Sequence, residues 1–511
     1  MKSDALLAIL KRRGVLWPTA EIYGGAAGLY DYGPLGTALK RRIEDAWRHW
    51  FVGLSEDYYW IEPSEILPEA VVRASGHLEN FTDPEVTCGK CGHAFRADTL
   101  LEKVRPDGID GLPPAEIAKL LQEAGSRCPN CGSEALSVPR PFNLMFGLDY
   151  GVTGKERAYL RPETAQDSYL AFPRMWDVGR RALPLGIAIV GKAYRNEIAP
   201  RQVLFRMRSF TQAELQIFFD PADFTVPLDA VADDLLPILS AERRLGGAEA
   251  PVDRTVRELV DTGTLPAFYA YYLAVSVRFY REVLGHPKES LRLLEKSDAE
   301  RAFYNRIQYD IEAHLDSLGG YKELGAVHYR GDYDLGRHGQ GSQKDLSVAK
   351  EGGGRVLPHV LELTFGVDRN LWALADRHLV VEPTGEGESR NLWRLPGWLA
   401  PVTVGVFPLL KKEHAALARS IAQELRRRGI AAEFDVSGSI GKRYARMDEA
   451  GAPFCITVDG ETLDPAHPNH GTVTVRARDS KQQERLPVAA LAERLLAETR
   501  PPGFGDPPAG A

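Results

Sequence analysis

The segment 186–219 constrains the fold most, because its pattern predicts two strands joined by a basic loop. On the second strand Gln212, Glu214 and Gln216 share one face, and apolar residues from Ala213 to Phe219 alternate on the other. An apolar back with a polar, partly acidic front is typical of the floor of a binding site. The segment therefore predicts a sheet with a site on one surface.

The loop between these two strands is rich in arginine. It contains Arg201, Arg206 and Arg208 close to Pro200. Forked guanidinium groups bind phosphate oxygens through charge-assisted hydrogen bonds, so the loop is a candidate phosphate site. An ordinary antiparallel hairpin with a solvated basic tip explains the same spacing, and this segment alone does not decide between the two.

A second segment, 359–375, predicts a strand from His359 to Phe365 that runs into a helix beginning near Val367. Arg369 then lies in the first helical turn, where the helix N-terminus and a guanidinium together favour an anionic ligand. The alternative is a buried corner in which Arg369 pairs with Asp368 or Glu362.

Together the two segments resemble motifs 2 and 3 of the class II aminoacyl-tRNA synthetases, and the chain is most similar to the glycyl-tRNA synthetase family of the homodimeric type. Further matching segments run in order along the chain: EIYGGAAGLYDYGPLGTALKRRIEDAW (21–47, resembling motif 1), RASGHLENFTDP (73–84), FNLMF (142–146), LRPETAQ (160–166), RGDYDL (330–335) and SGSIGKRYARMDEAGAPFCITVD (437–459).

The resemblance implies an α/β fold: an α+β catalytic domain with an antiparallel sheet flanked by helices. Its first part would span 1–85 and its second part 141–400, separated by a zinc-ribbon-like insertion at 86–140. We expect a helical insertion at about 222–320, because residues 297–319 have a helical pattern that Gly319 and Gly320 would end.

Prolines at 396 and 401 mark a linker, and strands alternate with helices after it. This alternation predicts a compact α/β domain at 401–500, which resembles the anticodon-binding domain of several class II enzymes. Basic residues that would meet tRNA phosphates there, unless they only form a solvated face, are Arg426, Arg427, Arg428, Lys442, Arg443 and Arg446. The Pro/Gly-rich tail 501–511 is predicted to be disordered.

Four of the five cysteines form two Cys-x-x-Cys pairs, Cys88 with Cys91 and Cys128 with Cys131. Two such pairs are typical of a structural zinc site, because four thiolates complete a tetrahedron and leave no open position. Disulfides or loose thiols are the alternatives, and disulfides are disfavoured in a cytoplasmic protein. His93 is a spare candidate ligand. We expect Cys455 to be a small buried strand residue.

Length and composition agree with a chain of about three domains. Of its 511 residues 44% are hydrophobic and 26% charged, as in globular proteins. The sequence has no apolar run long enough to cross a membrane and no signal-peptide pattern, so we expect a cytoplasmic protein. Since the net charge is −7, tRNA would have to bind to local basic patches.

The resemblance implies that a glycine carboxylate attacks the α-phosphorus of ATP, and that tRNA(Gly) then takes the glycyl group from the adenylate. Arg195, Glu197 and Arg369 would be catalytic. Phe210 would stack on the adenine with Arg369 on the opposite face. The full expected ATP-binding set is Arg195, Asn196, Glu197, Phe205, Arg206, Met207, Arg208, Ser209, Phe210, Glu323, Leu324, Gly366 and Arg369. Glu323 and Glu362 would hold Mg²⁺, which prefers carboxylate and phosphate oxygens.

The same resemblance implies an acidic pocket for the glycine ammonium, in which crowding rejects larger amino acids. The expected glycine-binding residues are Arg73, Glu163, Phe210, Thr211, Gln212, Ala213, Glu214, Glu362, Thr364 and Gly366. An ion pair with Arg161 is the alternative explanation for Glu163. We also expect a homodimer, because motif 1 forms the subunit interface in this class.

The chain departs from the family at several pocket positions, namely Asp167, His328, Tyr329, Leu363 and Thr364. These departures leave two alternatives open. One is a related ligase for another amino acid, and the other is a non-catalytic nucleic-acid-binding paralogue. The presence of Arg195 and Arg369 argues against the paralogue.

Overall fold

The computed structural model describes residues 2–101, 112–200, 202–350, 352–385 and 388–505, and within them a nine-stranded sheet forms the centre of the molecule. In order of pairing its strands are Val252–Thr255, Leu235–Leu239, Leu291–Glu295, Ile307–Leu315, Gly320–Gly331, His359–Gly366, Ser209–Phe219, Leu185–Tyr194 and Tyr58–Trp60. The middle strands pair antiparallel, and Leu235–Leu239 with Leu291–Glu295 and Leu185–Tyr194 with Tyr58–Trp60 pair parallel. The expected antiparallel catalytic sheet is thus confirmed.

The two segments that opened the sequence analysis lie next to each other in this sheet. Strand Ser209–Phe219 pairs with Leu185–Tyr194 on one side and with His359–Gly366 on the other. Because side chains alternate, the apolar positions of these strands face the main core. Helices Pro34–Phe51 and Val367–His378 contribute Trp47, Trp50 and Trp372 to that core, which leaves the polar strand face open.

The prediction of a helix at 297–319 is wrong. The structure forms the strand Ile307–Leu315 there, which turns through Gly319 and Gly320 into the strand Gly320–Gly331. The buried apolar residues of the first strand, Tyr309, Ile311, Ala313 and Leu315, recur every second position, which is the period of a strand. The two glycines have φ values of +66° and +146°, so they form a turn and do not end a helix.

The segment 222–320 is therefore a mixed insertion. Four of its strands extend the central sheet, and its helix Ala267–Arg278 is almost wholly buried against them. Short α-helices at Ala241–Leu245 and Val256–Asp261 also lie in this segment, and a π-helical turn at Phe279–Val283 continues the buried helix. The expected insertion therefore does contain helices. The remainder forms strands, because it pairs with the central sheet.

The cysteine-containing segment has a small core of its own. Strands Ala94–Arg96, Thr82–Thr87 and Arg140–Asn143 form its sheet, and helices Ala97–Leu101 and Pro114–Glu123 cover it. The core residues are Val86, Ala97, Leu101, Ile117 and Leu121. The helix predicted between the cysteine pairs is confirmed, and residues 102–111 lie outside the described part of the chain.

The C-terminal domain has the predicted alternation. Its described strands, in order of pairing, are Ala432–Phe434, Val404–Pro408, Phe454–Val458, Thr472–Ala477 and Gln483–Pro487, and its main helices are Lys411–Arg427, Ile440–Ala450 and Leu491–Glu498. Cys455 is buried in the third of these strands, as expected, and burial raises the pKa of its thiol to about 12. Arg478 donates to the carbonyls of Trp393, Gly451 and Leu395 and so fixes the linker to this domain.

The tail differs from its prediction. Residues 501–505 are described, and the Phe504 ring packs edge-on against Trp50 with 5.5 Å between ring centroids. The tail is therefore not wholly disordered, and residues 506–511 lie outside the described residues. Among the described helices, none is long and apolar enough to cross a membrane.

Shorter elements surround these domains. The remaining strands are Leu16–Pro18 with Tyr30–Tyr32; Ile66–Pro68, Glu156–Leu160 and Gly147–Tyr150; Val348–Ala349 with Arg355–Val356; and Leu379–Gly385 with Glu388–Trp393. The remaining α-helices are Ser3–Arg12, Glu69–Ala74, His77–Asn80, Ala165–Val178, Tyr333–Ser342 and Gly460–Leu463.

Candidate active site

A cavity lies over the polar face of the central sheet, where the two segments meet. Most residues expected from the sequence line it: Glu163, Arg195, Glu197, Phe205, Arg206, Met207, Phe210, Thr211, Gln212, Glu214, Glu323, Glu362, Thr364, Gly366 and Arg369. The residues come from five separate stretches of chain, and the pairing of the strands brings them together. The cavity has an acidic end around Glu214 and a basic, aromatic end around Arg195.

Arg330 organises the acidic end, although it is only 1% exposed. Its guanidinium donates to both oxygens of Asp334 at 2.8 and 2.9 Å, and to Glu362 at 2.9 Å. The Tyr304 ring covers the guanidinium, with 3.9 Å between the guanidinium carbon and the ring centroid. A buried charge that is paired and hydrogen-bonded in this way is held in one position.

Glu362 is bound by three protein donors. It accepts hydrogen bonds from Gln216 Nε2 at 2.7 Å, from Arg330, and from His328 Nδ1. Burial on its own would raise the pKa of Glu362, but Arg330 and His328 outweigh burial and hold the pKa below its ordinary value. Glu362 is therefore ionised, and each of its oxygens accepts from at least one protein donor.

Glu163 has different partners from those that the sequence suggested. Gln166 Nε2 donates to it at 2.9 Å, and His77 and Arg330 lie 3.6 and 3.8 Å away. Although burial opposes ionisation, His77 and Arg330 hold the pKa of Glu163 well below its usual range. The alternative ion pair between Glu163 and Arg161 is not what the structure shows.

Arg161 pairs with Asp167, one of the residues that depart from the family pattern. Their closest atoms are 3.1 Å apart, and Arg161 Nε also donates to the carbonyl of Lys192 at 2.6 Å. Burial raises the pKa of Asp167 to about 6 even though Arg161 opposes the shift. Asp167 is thus the counterion of Arg161, and it does not line the cavity.

Glu214 lies on the floor of the cavity and is held by hydroxyl groups. Thr164 Oγ1 donates to one carboxylate oxygen at 2.7 Å, and Thr364 Oγ1 donates to the other at 2.9 Å. Burial, and then the charges of Glu362 and Glu163, raise the pKa of Glu214 to about 8. A cationic ligand near Glu214 would lower that pKa and would itself be bound by the carboxylate.

The other end of the cavity presents two guanidinium groups beside aromatic rings. Arg195 lies between Phe81 and Phe210, at 5.2 Å from each ring centroid, and its Nε donates to the carbonyl of Pro162 at 3.1 Å. Arg369 pairs with Glu323 at 2.9 Å and lies 5.9 Å from the Phe205 ring. The pairing of Arg369 with Asp368 or Glu362 is therefore not the arrangement in the structure.

The two carboxylates expected to hold Mg²⁺ differ in accessibility. The Glu323 side chain is 45% exposed, and the ion pair with Arg369 engages one of its oxygens. The Glu362 side chain is 4% exposed and is engaged by three donors. Since a hard cation needs free oxygen ligands, this geometry favours Glu323 over Glu362.

Six of the expected site residues do not line the cavity: Arg73, Asn196, Arg208, Ser209, Ala213 and Leu324. Arg73 has a 60% exposed side chain paired with Glu69, which does not support contact with a substrate carboxylate. Ala213 and Leu324 are fully buried in the core. Arg208 donates to the carbonyls of Ala27 and Glu197 and so supports the loop.

The backbone N–H of Asn196 donates to the carbonyl of Leu144, and Ser209 pairs with Tyr194 at the start of its strand. Both residues therefore support the site from outside the cavity. Arg201, also expected in the basic loop, lies outside the described residues.

Five other lining residues were not among the expected binding residues: Leu204, Tyr304, Gly325, His328 and Asp368. His328 was expected only as a departure at the pocket, and Asp368 only as a possible partner of Arg369. Tyr304 lies in the segment that was wrongly predicted as helix, so its position could not be found. Asp368 accepts hydrogen bonds from the backbone N–H of Thr211 and from the Tyr32 hydroxyl, which joins three stretches of chain. Arg330 belongs to the matching segment RGDYDL, so the sequence could have singled it out. Only the tertiary contacts show which residues it binds.

The four cysteines converge away from this cavity. The Sγ atoms of Cys88, Cys91, Cys128 and Cys131 all lie within 4.8 Å of one another, and Cys88 Sγ is 3.7 Å from Cys131 Sγ. This separation excludes a disulfide and matches a tetrahedron of sulfurs around zinc, whose edges are roughly 3.8 Å long for Zn–S bonds of about 2.3 Å. Gly92 and Gly132 form the turns with φ of +72°, and each donates its N–H to the first cysteine's carbonyl.

His93 and the basic residues of the C-terminal domain are the remaining residues expected at the metal site or in contact with tRNA. His93 lies outside the cysteine cluster and contacts Asn130. Arg443 is 5% exposed and donates to the carbonyls of Pro408 and Gly438, so it supports the fold and does not present a charge to solvent. Arg446 pairs with Asp435. Arg426, Arg427, Arg428 and Lys442 are exposed, although Arg427 and Arg428 pair with Glu424 and Arg426 donates to the Ala432 carbonyl.

Comparison with known proteins agrees with this arrangement. Residues 150–378 match the family model "tRNA synthetase class II core domain (G, H, P, S and T)", and residues 403–498 match "Anticodon binding domain". The glycine–tRNA ligase of Thermococcus gammatolerans is 35% identical over 97% of this chain and 98% of its own length. The glycine–tRNA ligases of Thermococcus kodakarensis and Aeropyrum pernix are each 36% identical, over 97% and 96% of this chain and 98% and 96% of their own lengths.

Proposed function

Because this chain belongs to the glycine–tRNA ligase family, we propose that it activates glycine with ATP and transfers the glycyl group to tRNA(Gly), releasing pyrophosphate and AMP. The observation that carries the proposal is the division of one cavity into two ends. Two guanidinium groups and aromatic rings suit a nucleotide triphosphate, and a small acidic pocket suits an ammonium group.

In the first step the substrate carboxylate attacks the α-phosphorus of ATP, and the bond to pyrophosphate breaks. Arg195 would stabilise the charge that develops on the α-phosphoryl oxygens, and Arg369 would bind the distal phosphates. Phe210 and Phe205 offer rings on which an adenine can stack. Mg²⁺ would neutralise phosphate charge, and Glu323 is the accessible carboxylate that would hold it.

The acidic end would bind the substrate ammonium with Glu163 and Glu214. Thr364 anchors Glu214, and its methyl group takes up space beside the carboxylate. Amino acids larger than glycine would be rejected by crowding, because every competitor adds atoms at the α-carbon.

In the second step the terminal ribose hydroxyl of tRNA attacks the carbonyl carbon of the adenylate, and AMP leaves. The work of the protein in both steps is positioning and charge stabilisation. We assign residues 1–85 and 141–400 to this chemistry and residues 401–500 to tRNA recognition. The exposed residues Arg426, Arg427, Arg428 and Lys442 are the candidate phosphate contacts of that domain.

We further propose that the enzyme is cytoplasmic and that it forms a homodimer joined through the region of motif 1. The segment 21–25 carries the exposed apolar side chains Ile22 and Tyr23, which are 91% and 87% exposed. Exposed apolar residues of this kind support an interface.

We also propose that the cysteine cluster holds a structural Zn²⁺. The experiment is elemental analysis of purified protein compared with Cys88→Ser. We expect about one zinc ion per chain in the wild type, and loss of metal with faster hydrogen exchange in residues 86–140 in the variant. Equal metal content in both proteins would refute the site.

The function is tested by ATP–pyrophosphate exchange without tRNA, run with each of the twenty amino acids, followed by charging of tRNA(Gly). Exchange that depends on glycine alone, with charging, is the expected result. Exchange with another amino acid would make the chain a related ligase of the same class. No exchange from folded, metal-loaded protein, even after tRNA is added, would favour a non-catalytic role.

A further inference from the structure

His328 has incomplete hydrogen bonding, although it lies in the wall of the cavity. It stands directly across from Glu362 in the pairing of strands Gly320–Gly331 and His359–Gly366. Its Nδ1 is hydrogen-bonded to Glu362, and its side chain is 12% exposed. Its Nε2 is buried, and no described residue offers that nitrogen a hydrogen-bond partner.

The bond to Glu362 decides what the free nitrogen can do. Glu362 is ionised and can only accept, so His328 Nδ1 must be the donor. With a single ring proton, on Nδ1, Nε2 carries a lone pair and is an acceptor; with a second proton it would donate instead. Buried polar atoms are nearly always paired, so an unpaired acceptor in a cavity wall indicates a donor on the ligand.

The neighbours of His328 indicate which ligand supplies that donor. Glu362 contacts Arg330, and Arg330 approaches Glu163, so His328 belongs to the acidic end of the cavity. The substrate group suited to that end is an ammonium, which has three N–H donors. A neutral acceptor nitrogen has no comparable attraction for a phosphate, which offers only oxygen acceptors at neutral pH.

We propose that His328 is a positioning and specificity-determining residue for the amino acid. Its Nε2 accepts one N–H of the substrate ammonium, and its ring narrows the pocket beside Thr364, which lies two positions from Glu362 on the adjacent strand. This inference rests on the proposed function. It gives a role to His328, which in the sequence was only a departure from the family pattern.

Three variants separate the two roles of the ring. His328→Asn keeps a side-chain donor near Nδ1 but removes the acceptor at the Nε2 position. His328→Gln places an amide oxygen close to the Nε2 position. His328→Ala removes both groups and opens the pocket. The matched control is Tyr329→Phe, because the Tyr329 hydroxyl bonds to His359 and Tyr329 does not line the cavity.

The measurement is ATP–pyrophosphate exchange with glycine and with alanine, and KM and kcat are determined for each substrate. We expect the Asn and Ala variants to raise KM for glycine about tenfold, with KM for ATP unchanged within twofold. The Gln variant should recover much of that loss. The Ala variant should also lower the preference for glycine over alanine about tenfold, and Tyr329→Phe should match the wild type.

Two results would overturn the inference while leaving the proposed function in place. One is an unchanged glycine KM in folded Asn and Ala variants of an active enzyme. The other is a rise in KM for ATP with no change in KM for glycine, which would place His328 at the end of the cavity that holds Arg195 and Arg369. If the Ala variant does not fold, the Asn and Gln variants still decide. A wild-type protein with no glycine-dependent exchange would instead overturn the proposed function and this inference with it.

Discussion

The two ends of the active-site cavity are built in different ways. At the acidic end each carboxylate already has protein partners: Glu362 and Glu163 contact Arg330, and Glu214 accepts from two threonine hydroxyls. At the basic, aromatic end, which is the proposed nucleotide end, Arg195 donates to the Pro162 carbonyl and lies against the rings of Phe81 and Phe210. Arg369 contacts Glu323.

This difference follows from burial. Carboxylates enclosed at the bottom of a pocket must be satisfied by the protein before the substrate arrives, because an unpaired buried charge is too costly. The guanidinium groups at the other end are only partly buried, so under the proposed function they can exchange water for phosphate oxygens. The acidic end should therefore be part of the stability of the fold, whereas the nucleotide end should affect catalysis with little effect on stability.

The largest expected effect is at the acidic end. Arg330→Met removes the cation that Glu362 and Asp334 share and leaves two buried carboxylates without their partner. We expect the free energy of unfolding to fall by about 3–5 kcal/mol, measured by urea denaturation. A variant as stable as the wild type would show that the network is not a structural element.

The matching change at the other end is Arg195→Ala. We expect the rate of ATP–pyrophosphate exchange to fall about 10²–10³-fold, because one stabilising group for the phosphoryl charge is lost. The free energy of unfolding should fall by only about 1–2 kcal/mol, because Arg195 is partly buried and loses two ring contacts and one hydrogen bond to a carbonyl. Near-normal exchange would remove Arg195 from the catalytic groups, and a large loss of stability would contradict the contrast between the two ends.

A smaller effect concerns the pH dependence of stability. The pKa of Glu214 is about 8 in the folded protein, above the ordinary value of 4.5, so the folded state keeps a proton that the unfolded chain has lost. The contribution of Glu214 to stability is therefore fully present below pH 4.5 and is lost as pH rises to about 8, with a slope of up to about 1.4 kcal/mol per pH unit.

Glu214→Gln should remove this part of the slope without changing the rest of the profile. The measurement is the free energy of unfolding of both proteins at pH 5, 6.5 and 8. Parallel profiles for wild type and variant would show that Glu214 titrates normally and that the acidic end is less enclosed than its geometry indicates.

Much of the nucleotide end could be predicted from the sequence. Arg195, Phe210, Arg369 and Gly366 lie within two continuous segments whose alternation and helix entry are local properties. The cysteine pairs were likewise sufficient to predict their convergence, because two short turns each present two thiolates. In both cases the information lies within a few residues along the chain.

The acidic end was less accessible to sequence reasoning, because its contacts join distant stretches. Tyr304 and the strand Ile307–Leu315 were hidden in a segment whose composition favours a helix, and the pairing with Gly320–Gly331 overrode that preference. Arg73 shows the opposite case. A matching motif predicted it to lie in the site, but in the structure its side chain is exposed and pairs with Glu69.

The sequence by itself determined the family, the order of the domains and the chemical character of most residues that line the cavity. Only the tertiary structure decided which partner each buried charge has: Arg161 with Asp167, Arg330 with Glu362, and His328 with Glu362. The reason is physical. Local patterns fix strands, turns and helix ends, but the pairing of buried charges depends on which strands become neighbours, and that choice is made by the packing of the whole sheet.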